Sequence, residues 1–351
     1  MRCLIASFLI LFILAFMPAP TWAARIGSTD LVSADAVLHW INRYYKHPDP
    51  ADVPTAMRAA SRLGALNNPE HAGVYVGFLA GVLTKNPRQA EKIIARTLSM
   101  REDDRWIVVR AIAHSDLPNW QKLLRRFSSR LQRYDALGKR YISGKMARLA
   151  QFSVPPSPSA LERMGQQLRL DKLFGEKPQR TVLKPSPEVL DMLWGYYFAT
   201  GDYGPVVHII ALLPLSADHN DADRLTVGSM AKYTLASNAM HDQNLLAMLK
   251  ASRKARGEAK ATVAVLDEII DAAETVDTAR IRKEALATIS ELRSKGPAFK
   301  RNVSWWGFVG QSVIAGGCIA AATAGMVALG LPCVVGGAAS SAAVNFWNNS
   351  P

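Results

Sequence analysis

Residues 186–203, SPEVLDMLWGYYFATGDY, decide the fold class. Ser186 places a capping oxygen just before Pro187 and an apolar run. The serine side chain satisfies a backbone N–H that has no partner inside the helix. Proline at the first helical position loses nothing, because its N–H would be unpaired there anyway. The stretch predicts a helix over 187–200, the turn Gly201-Asp202-Tyr203, and a second helix over 203–213.

The same start signal recurs at Asn68-Pro69-Glu70, Asn86-Pro87 and Ser157-Pro158. Alternating β-branched runs bounded by turn pairs are nearly absent, so the chain reads as all-α. Further helices are expected over 33–47, 54–66, 69–84, 87–99, 103–115, 118–149, 158–169, 221–240, 243–256, 259–276 and 278–295. The short connections between most of them favour antiparallel hairpins. Residues 151–187 hold Pro155, Pro156, Pro158, Pro178, Pro185 and Pro187. That stretch reads as a linker between helical regions at 25–150 and 188–295.

Four turns look alike: Lys85-Asn86-Pro87, Ser115-Asp116-Leu117, Gly201-Asp202-Tyr203 and His241-Asp242-Gln243. Each offers Asn or Asp as a cap for its second helix. Aliphatics follow in the second helix, at Ile93-Ile94, Leu123-Leu124, Ile209-Ile210 and Leu249. Repeated helix pairs of this kind suit a short α-solenoid, in which each unit buries its face on the next. The spacing of the turns is irregular, which suits an irregular helical bundle equally well. Leu193-Trp194-Gly195-Tyr196-Tyr197 through Gly201-Asp202-Tyr203 resembles one tetratricopeptide-type unit. Together with Gly77-Phe78-Leu79-Ala80-Gly81 it is similar to a group of uncharacterised exported proteobacterial proteins, over roughly residues 30–255. That resemblance implies no activity.

The N-terminus reads as a secretory signal peptide over 1–23. Arg2 precedes an apolar run, Leu4 to Phe16, about 20 Å long as a helix and short of a hydrocarbon core of roughly 30 Å. Pro18 and Pro20 follow, and Thr21-Trp22-Ala23-Ala24 supplies small residues for cleavage after Ala23. The expected location is therefore the periplasm or cell envelope. The formal net charge is +13, and losing 1–23 removes only Arg2 from it. A basic exported chain meets anionic surfaces, lipid headgroups first among them, and export argues against nucleic acid. Beyond the leader only Cys318 and Cys333 remain, too few for a disulfide-framework fold. An oxidising compartment permits a bridge between them.

The sequence offers no catalytic, cofactor or metal motif. Gly138 to Lys145 has the wrong glycine spacing for a phosphate loop, and Met146 stands where a magnesium-binding hydroxyl belongs. In Asp218-His219-Asn220-Asp221-Ala222-Asp223 an alanine occupies a calcium-ligand position, so Asp218 or Asp221 is read as a helix cap. The histidines at 39, 47, 71, 114, 208, 219 and 241 have no zinc spacing. His114 and His241 fall at helix C-termini, where positive charge is favourable. The aromatic residues of 40–45 and 194–203 read as core packing.

Two features stand out. On a helix over 118–149, Lys122, Arg126, Arg130, Arg133, Arg140 and Arg148 fall on one arc beside the apolar Leu124, Phe127, Leu131, Tyr134 and Leu149. Nine Lys and Arg residues against the single Asp135, from 122 to 148, point to contact with an anionic surface. Gly138 and Gly144 stand inside this stretch and threaten its phasing. The second feature is 302–351, which has no charged residue and no histidine but eight Gly and ten Ala. Such small-residue faces suit helices packed in a membrane. A hairpin over 305–347, broken at Gly330-Leu331-Pro332, would bring Trp305, Trp306 and Phe308 near Phe346 and Trp347 at one interface. The expectation is an exported helical scaffold or interaction protein held at a membrane by its C-terminus. A membrane-active protein inserting that hairpin is the first alternative, and a hydrolase with a site built from separated carboxylates is the second.

Overall fold

The computed structural model describes residues 31–155, 181–218, 221–255 and 259–275. The leader over 1–23, the expected helices 158–169 and 278–295, Cys318, Cys333 and the hairpin with Trp305, Trp306, Phe308, Phe346 and Trp347 lie outside the described residues. Within them the chain is all-α. Twelve α-helices follow one another: α1 Ala34–Arg43, α2 Val53–Arg62, α3 Gly73–Lys85, α4 Ala90–Thr97, α5 Trp106–His114, α6 Trp120–Arg126, α7 Asp135–Ile142, α8 Pro187–Thr200, α9 Tyr203–Ile210, α10 Ala222–Ala239, α11 Gln243–Arg253 and α12 Lys260–Glu274. The strand-type pairing among the described residues is an isolated bridge from Phe152 to Leu183, which joins the two ends of the proline-rich stretch.

Helices α3 and α8 form the centre. Eleven of the thirteen residues of α3 and twelve of the fourteen of α8 are buried, so both are enclosed on every side rather than amphipathic. Ser186 caps α8 as expected, its Oγ accepting from the Val189 N–H. Gly201 ends the helix in the left-handed conformation at φ 66°, which glycine adopts without a Cβ penalty.

The two backbones touch through glycine. A Cβ on Gly73 would lie 2.5 Å from the Glu188 carbonyl oxygen, and one on Gly77 would overlap the Met192 carbonyl. One on Gly81 would sit 2.7 Å from Ala199 Cβ. Gly195 answers from α8 against Val74 and Phe78. Contacts climb both helices together, so α3 and α8 run parallel, side by side. The remaining helices wrap this pair. α1 and α10 pack on α8, α5 packs on α3, and α4 packs on α2. One continuous core holds Leu38, Phe78 and Ile112 together with Trp194, Leu235 and Leu249. The regions before and after 151–187 therefore share a single interior.

Several expected boundaries shift. The residues after Asn68-Pro69 form a 3₁₀ turn, Pro69–His71, and the α-helix begins at Gly73. The helix after Asn86-Pro87 begins at Ala90. The turn carboxylates also divide their work. Asp242 caps α11 through the Asn244 and Leu245 N–H groups. Asp202 makes no side-chain cap and pairs with Lys85 at 2.8 Å. Asp116 receives the Tyr196 hydroxyl at 2.7 Å, and Asp242 receives both Tyr45 and Tyr197 at 2.7 Å. Buried tyrosines of α8 need acceptors, and the turns supply them. The aromatic stripes are core, with Tyr44, Trp194, Tyr197 and Phe198 all buried. Tyr203 stands apart at 41% exposed.

The glycine contact generates a prediction. Alanine is favoured over glycine in a helix interior by roughly 0.5–1 kcal/mol, so any loss must come from forcing the backbones apart. Gly77→Ala is expected to destabilise by about 2 kcal/mol or more, read as a lower denaturant midpoint. Gly204→Ala, where nothing lies within 4 Å of the new Cβ, serves as the control. Equal midpoints for the two variants would refute the packing account.

Candidate functional site

The basic stretch expected as one helix over 118–149 is not one helix. It is α6, two 3₁₀ turns at Ser128–Arg130 and Gln132–Tyr134, α7, and a last 3₁₀ turn at Leu149–Gln151. Phe127 and Leu131, on either side of the first turn, are buried at 8% and 3% exposure, and the turns redirect the chain so that Arg148 comes to lie over Trp120. Gly144, at φ 72°, closes α7, with the Lys145 N–H donating to the Arg140 carbonyl at 2.9 Å.

The six expected contact residues consequently share no helical arc. Arg126 pairs with Glu91 at 2.7 Å, and Arg133 pairs with Asp103. Arg130 donates to the Ala95 carbonyl at 3.2 Å, in the last turn of α4. Arg148 donates to the carbonyls of Ala113 at 2.6 Å and Ser115 at 3.0 Å, at the end of α5, and stacks 4.3 Å over Trp120. Lys122 and Arg140 are exposed, and their side chains bind no acceptor among the described residues. Two cations of the same segment that the single-helix projection left out, Arg125 and Lys145, are exposed and equally without an acceptor there.

Breaking the segment opens a groove between α5, α6 and α7, with a volume of about 460 Å³. Val109, Leu124 and Leu131 form its buried floor with Gly138, and Ile142 adds a half-buried wall. Arg125 and Lys139 line it as exposed cations, and Asp135 pairs with Lys139 at 2.6 Å. Gly138 lies in the interior of α7, where glycine costs roughly 0.5–1 kcal/mol relative to alanine. A Cβ there would meet only Val109 Cγ1, at 3.9 Å. Gly77, Gly81, Gly195 and Gly228 are unlike it, because each would strike a neighbouring element closely.

Behind the groove runs a buried polar chain. The Leu149 N–H donates to His114 Nδ1 at 2.9 Å, which assigns the ring proton to Nε2. Nε2 then donates to the Tyr141 hydroxyl at 3.2 Å. Arg110 lies beside Tyr141 and pairs with Glu188 on α8. Burial, with the Arg110 and Arg148 guanidiniums adding to it, lowers the His114 pKa to about 3. His114 does end α5 as expected, yet it sits there neutral, because an imidazolium would be desolvated between two cations. This chain was not read from the sequence. Its one visible trace is Arg110, a lone charge inside the apolar helix Trp106–His114.

Asp221 caps α10 through the Asp223 and Arg224 N–H groups, and Asp218 holds Arg224 at 2.9 Å. Among the described residues no group of three or more His, Cys, Asp or Glu is placed to hold a metal. No helix among them is long and apolar enough to cross a membrane. No family model matches this chain, and neither a curated protein nor a solved structure matches it.

The buried imidazole makes acid stability a test. The fold requires neutral His114, while the unfolded chain takes up a proton below the ordinary value of 6.5. The unfolded state therefore binds more protons between pH 6.5 and about 3, and this contribution to stability is lost as pH falls through that window. Well below 6.5 the loss approaches about 1.4 kcal/mol per pH unit. Thermal melts between pH 7 and pH 4 should fall less steeply for His114→Asn than for the parent. Parallel slopes would mean that His114 does not titrate on unfolding.

Proposed function

We propose that this protein is an exported helical scaffold that meets an anionic membrane surface through residues 120–149 and is held at the membrane by its apolar segment 302–351. One observation carries the reading. In the segment from 122 to 148, Lys122, Arg125, Arg140 and Lys145 are exposed and engage no acceptor among the described residues. Exposed cations in one stretch of sequence, with no acceptor among the described residues, are what headgroup contact needs. The body is best taken as an irregular bundle around the α3–α8 pair, since two fully enclosed central helices differ from the nearest-neighbour stacking of a solenoid. The apolar C-terminal segment, with Lys295, Lys300 and Arg301 just before it, supports the anchoring half of the proposal.

Co-sedimentation of the full chain with phosphatidylglycerol vesicles tests it, with phosphatidylcholine vesicles as reference. Changing Lys122, Arg140 and Lys145 together to Gln should weaken binding by about 1 kcal/mol per charge. The difference should vanish near 1 M salt, where screening shortens to about 3 Å. Unchanged binding at low salt would remove the segment from the interface. Release of the whole protein from envelope membranes by alkaline carbonate would remove the anchor.

A further inference from the structure

A second set of cations lies outside the basic segment, along α4. Arg88 leads into that helix, and Lys92 and Arg96 follow at intervals of four residues. All three are exposed and engage no acceptor among the described residues. The buried side of α4 is Ala90, Ile93, Ile94 and Thr97, so the helix turns its apolar residues inward and its cations to solvent.

α6 lies beside it. Arg126 reaches Glu91 at 2.7 Å, and Arg130 reaches the Ala95 carbonyl at 3.2 Å. Both contacts join residues 35 apart, so the two segments run parallel and in register. Lys122 stands one turn before Arg126 and comes level with the start of α4. α2 also packs on α4. Its Arg58 meets the neutral hydroxyls of Thr55 and Ser99, each at 3.1 Å, and its Arg62 is exposed with no acceptor among the described residues. Glu91 is the one carboxylate carried by α2, α4 and α6. In the turn after α4, Asp103 is held by Arg133 and Asp104 accepts from Ser61, which leaves Glu102 as the unpaired acid there. Charges are arranged differently where α11 meets α12: Lys250 pairs with Glu274, and Arg253 with Asp267.

The layout selects the kind of partner. Cations four residues apart rise about 6 Å along a helix, and neighbouring helices stand about 8–10 Å apart, so the charges cover an area rather than a line. The large exposed apolar side chains among the described residues, Val32, Val182, Tyr203 and Val207, all lie on other elements. Contact here is therefore electrostatic, without insertion. A flat array of phosphates meets both conditions, whereas a single polyanion strand would engage one row.

We propose that the layer formed by α2, α4 and α6 is the face by which the folded body sits on a phosphate-bearing lipid surface, with Arg88, Lys92 and Arg96 as its main contacts. The inference rests on the membrane-surface reading and deepens it by naming the face, through residues outside 120–149.

The experiment compares two triple variants of the full chain that lose the same net charge, by co-sedimentation with vesicles of phosphatidylglycerol and phosphatidylcholine. At 0.1 M salt, charges more than about 10 Å from the surface are largely screened. Changing Arg88, Lys92 and Arg96 together to Gln should weaken binding about a hundredfold. Changing Lys184, Lys254 and Lys260 to Gln, exposed cations on other elements, should weaken it about twofold or less. Glu91→Gln should tighten it about fivefold by removing the one acid of the layer. Glutamine keeps the helix propensity of the residues it replaces, and a circular dichroism melt checks that each variant folds. Equal losses in the two triples would mean that net charge alone drives binding, overturning this face while leaving the membrane reading intact. A parent chain with no preference for phosphatidylglycerol would remove both. If the α4 triple lost binding to inorganic polyphosphate but kept its vesicle binding, the layer would belong to a soluble polyanion and the lipid assignment would be overturned.

Discussion

The rest of the structure depends on the backbone contact between α3 and α8. Gly73, Gly77 and Gly81 recur every fourth residue on one side of α3 and let the α8 main chain approach at Glu188, Met192 and Tyr196. Two helices this close leave no room for side chains between them, so every large side chain they carry must point away into surrounding helices. Trp194 of α8 reaches α10, where its indole N–H donates to Thr234 Oγ1 at 3.0 Å. Tyr196 and Tyr197 reach the turns at Asp116 and Asp242. A hydroxyl buried without an acceptor costs on the order of 1–3 kcal/mol, so these partners place the outer turns as firmly as apolar packing does.

The same logic explains why the basic segment is broken. α5 packs on α3 and carries Arg110 inward to Glu188 of α8. Arg110, Tyr141 and His114 must then be satisfied in a dry interior, which fixes where α7 and Leu149 come to rest. A single straight helix over 118–149 would set Trp120 and Leu149 about 44 Å apart, whereas the bent segment returns far enough to place Arg148 4.3 Å over the Trp120 ring. Two 3₁₀ turns and the left-handed Gly144 give the bends. The groove is the space those bends leave between α6 and α7.

Legibility followed the range of the interaction. Caps are local, so Ser186 and Asp242 cap as expected and Asp221, of the pair Asp218 and Asp221, does so too, and with them comes the class of the fold; Asn86, Asp116 and Asp202, expected as caps, do not cap their helices. Glycine at 73, 77 and 81 is a pattern in plain view, but its meaning lies in a partner helix more than a hundred residues away. The basic arc failed because projection at one angle per residue assumes an unbroken helix, while the chain folds back to set Arg148 over Trp120 and against the end of α5. That assumption also hid Arg125 and Lys139, which face the groove only once the segment is bent. His114 was placed correctly at a helix end. Its charge state depends on Arg110, Arg148 and burial, none of which spacing conveys.

The cations of residues 122–148 then divide by what the fold asks of them. The last carbonyls of a helix lack intrahelical donors, and basic side chains satisfy them favourably. Arg130 does this near the end of α4, and Arg148 at the end of α5. Arg126 and Arg133 answer single carboxylates on the surface, where an exposed pair contributes about 0–1 kcal/mol. Lys139 is held by Asp135. Lys122, Arg125, Arg140 and Lys145 are left without a task within the described fold.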